Sequence, residues 1–241
     1  MWYRSWFDSP YYHLLYQHRD VQEAKQFIDV LTDFLLSEGH VKIGDSWLDT
    51  ACGTGRHAIY LAQKGFQVTG IDLSPNNIEQ AIKQSRNLSN IQFFVQDIRQ
   101  LLPTVFEVVS NLFTSFGYFD NDEENVQVVK NWVKQSNNII ILDYFNSEYV
   151  MQTLIPHEKV VKKSITFYIT RRIEDNTVIK TITFADQGRN YLFEERVKLY
   201  SSKTLIHFFQ QAGASILAQW GDYQAHSQGK RCILIAKKIK N

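Results

Sequence analysis

The chain has 241 residues, of which 44% are hydrophobic and 21% charged. It therefore holds enough apolar material for a core and too little charge for a disordered chain. Lys and Arg number 26 against 25 Asp and Glu, a net charge of +1, which argues against a nucleic-acid partner. Cys52 and Cys232 are too few for a disulfide framework and lack metal-ligand spacing, so we predict no metal site.

No apolar run reaches the length of about 18 residues that spans a bilayer. The first ten residues, MWYRSWFDSP, lack the apolar stretch and small-residue cleavage pattern of a signal peptide. We therefore expect no membrane partner and a cytoplasmic location. The composition leaves the oligomeric state open.

An amphipathic helix is the first element that the periodicity predicts. Apolar residues recur at intervals of three and four from Val21 to Leu35, with Asp20 as a candidate N-cap and Gly39 as the stop. Strands are then predicted at 46–50, 66–71, 91–95, 106–112 and 138–144, separated by helices at 56–64, after Ser74-Pro75 and after Asp122-Glu123. Alternating strands and helices predict βαβ units and a parallel sheet.

The periodicity changes between residues 156 and 200. Ile165, Phe167 and Ile169 alternate with polar residues, and segments 175–176 and 186–188 have the composition of turns. Antiparallel hairpins are therefore predicted as an insertion in the α/β order. After the hairpins we predict a helix that ends at Gly213 and two strands, at 216–220 and 232–236. The whole chain, residues 1–241, is predicted to form one α/β domain.

The most informative segment is the turn between the first strand and the next helix, where residues 48–58 read LDTACGTGRHA. Glycines let the backbone approach a ligand closely, and free N–H groups at a helix start favour a polar or anionic group. Gly53, Gly55 and Ala58 match a dinucleotide-binding fingerprint, and Asp72 follows the second strand, where a ribose-binding acid belongs. A structural loop, with Asp72 only capping the next helix, is the alternative.

Two more acids distinguish the possible ligands. Asp49, at the end of the first strand, suits a ligand with an ammonium group and repels a pyrophosphate. Asp97, beside Ile98 at the end of the third strand, suits the amino group and flat face of a purine. The three acids in chain order thus match three parts of one nucleoside–amino-acid ligand. An NAD-dependent oxidoreductase and a non-catalytic nucleoside-cofactor-binding module remain as alternatives.

With these residues, segment 45–145 resembles the class I S-adenosylmethionine-dependent methyltransferases. The resemblance implies methyl transfer from S-adenosyl-L-methionine to a small-molecule acceptor by in-line displacement, with the enzyme supplying proximity and orientation. The implied cofactor-binding residues are Asp49, Ala51, Gly53, Gly55, Asp72, Leu73, Asp97, Ile98 and Asn111. Ala51 replaces the family's first glycine, and its methyl group is tolerated if its φ angle is negative.

The resemblance also implies a Rossmann-like sheet of seven strands, mostly parallel, with an antiparallel last strand. It places the antiparallel β-insertion, residues 155–200, over the substrate. Residues 46–145 become the cofactor-binding core, and residues 201–241 become a C-terminal helix and strand pair. Residues 1–45 form the remaining part, an aromatic lid followed by the first long helix.

Aromatic residues crowd the first sixteen positions. We predict that they close as a lid, because rings attract a sulfonium or an amine, although packing against the core is the alternative. Tyr11, Tyr16, Phe116 and Tyr118 are the predicted acceptor-pocket residues.

No residue is singled out as the catalytic base. An acceptor hydroxyl or ammonium must lose a proton, which makes Tyr12, His13, His157 and His226 the candidates. Their spacing favours none of them, and an ordinary surface or packing role is the alternative for each.

Overall fold

The structure is a computed structural model that describes residues 1–16 and 21–240. The helices are α1 (Trp2–Phe7), α2 (Pro10–Leu15), α3 (Val21–Ser37), α4 (Arg56–Gln63), α5 (Pro75–Ser85), α6 (Asp122–Gln135), α7 (Ser147–Thr153) and α8 (Ser202–Gln211). The strands are β1 (Ser46–Thr50), β2 (Gln67–Asp72), β3 (Ile91–Val95), β4 (Phe106–Asn111), β5 (Ser136–Phe145), β6 (His157–Lys162), β7 (Ile165–Glu174), β8 (Thr177–Asp186), β9 (Arg189–Lys198), β10 (Ala214–Trp220) and β11 (Arg231–Lys238). The predicted N-cap Asp20 lies outside the described residues.

Seven strands form the main sheet, in the order β10-β11-β5-β4-β1-β2-β3. Strands β1 to β5 are parallel, and β11 runs antiparallel to both β5 and β10. This confirms the predicted Rossmann-like sheet with an antiparallel strand at its C-terminal end. The predicted strand bounds agree with the structure to within a residue or two, because strand composition and turn residues mark them locally.

The parallel strands are buried on both faces, as expected when helices cover both sides of a sheet. Residues 139–142 of β5 show this, because all four side chains are fully buried. One apolar cluster lies on the face covered by α6 and α8, and the other on the face covered by α3, α4 and α5. The carboxyl ends of β1 to β4 consequently meet at one edge of the sheet, where Thr50 is in register with Ile71 and Asn111.

Strands β6 to β9 form a separate antiparallel sheet, which confirms the predicted hairpins. Asp175, Asn176 and Gln187 occupy its turns with positive φ angles, the conformation that such turns require. A third apolar cluster joins this sheet to the N-terminal segment through Trp6 and Leu15.

Helices α1 and α2 were not predicted, although α2 carries a clear local signal. The Ser9 side chain accepts a hydrogen bond from the Tyr11 N–H, and Pro10 occupies the first helical position, an N-terminal signature. Both helices have only six residues, too few for a periodic pattern to stand out. Among the described residues, the structure has no helix with the length and apolarity needed to cross a bilayer.

Candidate functional site

A cavity of about 970 Å³ opens at the carboxyl ends of β1 to β4, beneath the N-terminal helices. Its size is at the upper end of the range for small-molecule sites. Most of the predicted cofactor residues line it, namely Asp49, Ala51, Gly53, Asp72, Leu73, Asp97 and Ile98. Strand order therefore brings together three acids that are far apart in the sequence.

Asp49 is the most unusual of these acids, because its side chain is buried and only partly satisfied. Its Oδ1 accepts a hydrogen bond from the Ser110 hydroxyl at 3.0 Å, whereas Oδ2 has no hydrogen-bond partner among the described residues. The pKa of Asp49 is raised to about 7, mainly by burial; the hydrogen bond from Ser110 lowers it, and the nearby Asp72 carboxylate raises it. A cationic donor in the cavity would supply a hydrogen bond to Asp49 Oδ2 and would balance the negative charge of the ionised carboxylate.

Asp72 ties the glycine loop to the start of α5. Its carboxylate accepts hydrogen bonds from the backbone N–H of Gly53 at 2.8 Å and of Ser74 at 2.9 Å, and from the Asn77 amide at 3.3 Å. Burial raises its pKa, while the two backbone donors act in the opposite direction. A carboxylate offers about four acceptor positions, so Asp72 keeps capacity for a hydroxyl donor in the cavity that it lines.

The glycine loop turns through three left-handed residues. Ala51, Gly53 and Gly55 have φ angles of 55°, 58° and 81°. The condition of a negative φ at Ala51 is thus not met, and this alanine adopts a conformation that costs a non-glycine residue roughly 1–2 kcal/mol. The Cys52 N–H donates to the Ile71 carbonyl at 2.9 Å, and this hydrogen bond anchors the glycine loop to β2.

Two of the predicted cofactor residues lie behind the cavity wall. A Cβ at Gly55 would be 2.8 Å from Cζ of Phe93, so this glycine is required by packing beneath the loop. Asn111 is fully buried, and its amide donates to the carbonyls of Thr50 at 3.1 Å and Ser115 at 3.2 Å. It therefore fixes the ends of β1 and β4.

Asp97 already has a cationic partner. Its carboxylate binds Arg99 through Nε at 3.0 Å and Nη2 at 2.7 Å. Burial alone would raise the pKa of Asp97, but the hydrogen bonds from Arg99 lower it below its ordinary value. Asp97 is therefore ionised and held at the edge of the cavity, where a purine amino group would share it with Arg99.

The predicted acceptor residues divide between the cavity and the interior. Tyr16 and Tyr118 line the cavity. Tyr11 instead donates to Asp186 at 2.8 Å and packs against the β-insertion. Phe116 is fully buried in the core, with its ring centroid 5.2 Å from that of Trp132.

The candidate bases divide in the same way. Tyr12 and His13 line the cavity. His157 is exposed on β6, and His226 is exposed in the loop after β10, where its Nδ1 lies 2.7 Å from Asp222. Neither of these two histidines is among the residues that line the cavity.

Sequence reasoning missed a buried charge at the carboxyl end of β5. Asp143 is fully buried, and it accepts hydrogen bonds from the Phe113 N–H at 2.8 Å, the Tyr223 hydroxyl at 3.0 Å and Arg231 Nε at 2.8 Å. Phe113 and Thr114 have φ angles of 62° and 60°, a strained conformation that Asp143 holds in place. A lone aspartate in an apolar strand was the available signal, because a buried charge requires partners.

A family model described as a methyltransferase domain matches residues 48–136. An uncharacterized methyltransferase of Schizosaccharomyces pombe, C750.03c, is 30% identical over 108 residues, which are 44% of this chain and 74% of that protein. The chain belongs to the class I S-adenosylmethionine-dependent methyltransferases. S-adenosylmethionine is the cofactor of this family.

The methyltransferase is 34% identical to YqeM of Bacillus subtilis over 104 residues, and this match spans 42% of each protein. Among solved structures, an S-adenosylmethionine-dependent methyltransferase from Clostridium acetobutylicum superposes with a TM-score of 0.82 at 20% identity, covering 95% of this methyltransferase and 97% of that chain. The two proteins share the whole fold. The oxidoreductase and the non-catalytic module find no support in these comparisons.

Proposed function

We propose that this chain transfers the methyl group of S-adenosylmethionine to a small-molecule acceptor bound in the cavity. The observation that carries the proposal is the buried Asp49 carboxylate, whose Oδ2 has no hydrogen-bond partner among the described residues. The cofactor's α-ammonium group supplies the donor and the positive charge that this oxygen requires. A dinucleotide would instead bring a pyrophosphate towards an acidic wall, which like charge opposes.

The remaining cofactor contacts follow from the same cavity. Asp72 would accept a hydrogen bond from a ribose hydroxyl, and Asp97 with Ile98 would contact the adenine ring. A Cβ at Gly53 would meet no atom within 4 Å, so this side of the loop is open to a ligand. The bound cofactor supplies an electrophilic methyl group on a sulfonium, and the chain's own residues orient it.

Aromatic side chains over the cavity support a small acceptor. Trp2, Phe7, Tyr12, Tyr16 and Tyr118 all line it. Such rings attract a cationic centre and exclude water from a reacting group. An amine acceptor that arrives neutral needs no base, and for a hydroxyl acceptor Tyr12 and His13 are the candidates at the cavity.

The N-terminal helices are docked as a lid would be. Glu195 Oε1 on β9 accepts hydrogen bonds from Trp6 Nε1 at 2.6 Å and from the Tyr16 hydroxyl at 2.7 Å. At the other side Asp8 accepts a hydrogen bond from the Ser74 hydroxyl, next to Asp72. These contacts support a lid that joins the β-insertion to the cofactor site.

A cytoplasmic location and the lack of a nucleic-acid partner stay predictions from the sequence.

Calorimetric binding of S-adenosylmethionine, S-adenosylhomocysteine and NAD tests the proposal. The first two should bind and NAD should not. Asp72→Ala should weaken S-adenosylhomocysteine binding about tenfold to a hundredfold, because a hydrogen bond from a ribose hydroxyl to a charged carboxylate contributes roughly 1.5–3 kcal/mol. Glu79→Ala, at an exposed acid paired with Lys83, is the control and should change nothing.

Turnover with a library of small amines, alcohols and acids then tests transfer, with S-adenosylhomocysteine release as the signal. Preferential binding of NAD, or full affinity in Asp72→Ala, would contradict the proposal.

A further inference from the structure

Arg231, at the start of β11, presents an unused edge of its guanidinium at the cavity. Its Nε donates to Asp143 at 2.8 Å and its Nη2 donates to the Thr114 hydroxyl at 3.0 Å. Its Nη1 has no hydrogen-bond partner within residues 1–16 and 21–240. The Arg231 side chain is 18% exposed and lines the cavity, so the N–H groups of Nη1 are available to a ligand.

The orientation of this guanidinium is fixed from behind. Asp143 is fully buried and holds Arg231 through two of its nitrogens. Tyr223 donates to the other oxygen of Asp143, and its ring centroid lies 5.4 Å from the guanidinium. A guanidinium clamped in this way loses little conformational entropy when it binds an anion.

A second guanidinium lies on the same wall of the cavity. The guanidinium of Arg56 lies 4.3 Å from the centroid of the Phe113 ring, and that of Arg231 lies 5.7 Å from the same centroid. Burial lowers the pKa of His57 well below its usual value, and both arginines lower it further, so His57 is neutral. Two guanidinium groups therefore lie on one wall of the cavity, and the buried Asp143 carboxylate offsets the charge of Arg231.

We infer that Arg231 is the binding residue of an oxyanion subsite, in which Nη1 receives a carboxylate or phosphate group. Asp143 and Tyr223 act as positioning residues. This inference rests on the proposed function, because the oxyanion comes from one of the two reactants. It is either the α-carboxylate of the cofactor, whose ammonium group lies at Asp49, or an acidic group of the acceptor.

Paired ligands distinguish these sources. S-adenosylhomocysteine and its decarboxylated analogue differ only in the α-carboxylate, and inorganic pyrophosphate added to the S-adenosylhomocysteine-saturated protein probes the acceptor side. The test variant is Asp143→Asn/Arg231→Gln, which removes both charges of the buried pair and so avoids an unpaired carboxylate. Arg172→Gln, at an exposed arginine on β7, is the matched control.

If the cofactor's carboxylate occupies the subsite, the wild type should prefer S-adenosylhomocysteine over its analogue by about tenfold or more. The double variant should lose that preference and still bind the analogue with wild-type affinity. If the acceptor supplies the oxyanion, the preference should persist, while pyrophosphate should bind the saturated wild type and not the double variant. Either result supports the subsite.

The inference is wrong if the double variant keeps both the wild-type preference and the wild-type response to pyrophosphate. A wild type that binds neither nucleoside would instead overturn the proposed function. Circular dichroism and thermal unfolding check that the double variant folds. If it does not, Arg231→Lys keeps the positive charge beside Asp143 but removes the guanidinium edge, and it should show the same loss.

Discussion

Asp49→Asn tests the central feature of the site through stability and binding together. The pKa of this carboxyl rises from 3.8 to about 7 on folding because of burial. Each unit corresponds to about 1.4 kcal/mol, so the ionised side chain should destabilise the fold by about 4 kcal/mol. As pH rises through this window the unfolded chain loses the proton first. The destabilisation therefore grows from about pH 4, is complete above about pH 7, and is absent at lower pH.

Urea unfolding of the wild type and Asp49→Asn between about pH 4 and pH 8 measures this effect. The buried amide that the substitution introduces would lack an acceptor, which costs about 1–3 kcal/mol at every pH. The stability of the wild type relative to the variant should nevertheless fall by about 4 kcal/mol across the range. The raised pKa of Asp72 affects both proteins and largely cancels in the comparison.

Cofactor binding should show the opposite trend. An ammonium group pairs with ionised Asp49, so wild-type affinity for S-adenosylhomocysteine should rise about tenfold per pH unit up to about pH 7 and then level off. The variant should bind more weakly at neutral pH and lack this dependence. A stability difference that is constant across the range, with equal pH profiles of binding, would refute the reasoning.

The two loop glycines should separate stability from binding. Gly55→Ala places a methyl group 2.8 Å from Phe93 at a φ of 81°, so it should destabilise the fold by about 2–4 kcal/mol in urea unfolding. Gly53→Ala meets no protein atom within 4 Å, so calorimetry should show weakened cofactor binding with a smaller loss of stability; the reverse order would contradict the loop geometry. Glu195→Ala removes the acceptor for Trp6 and Tyr16, so trypsin should cut faster at Arg4, and S-adenosylhomocysteine should protect this site less than in the wild type. Equal cleavage rates with and without ligand in the wild type would contradict the lid.

The predicted cofactor residues that line the cavity share one property: each lies at or just after the end of a strand that local sequence marks. Asp49 and Asp72 lie within the last two residues of their strands and Asp97 lies two residues after its strand, and parallel strands bring their carboxyl ends to one edge. Asn111 and Phe116 also lie at or after the end of a strand, β4, yet the structure buries both side chains inside the protein. Whether a loop side chain faces the cavity or the interior depends on the residues packed around it in the folded protein. The local sequence pattern does not specify those residues.

The sequence by itself determined the α/β order, the approximate strand bounds and the glycine loop, because periodicity, capping residues and turn chemistry act over a few neighbouring residues. The resemblance of segment 45–145 to a known family then indicated the cofactor. Only the tertiary structure decided the Asp143–Arg231 pair, which joins positions 88 residues apart. It also decided the docking of Trp6 on Glu195, across 189 residues. Such pairs have no periodic signature. They form when strand order and packing bring buried polar groups close enough to satisfy one another's hydrogen bonds.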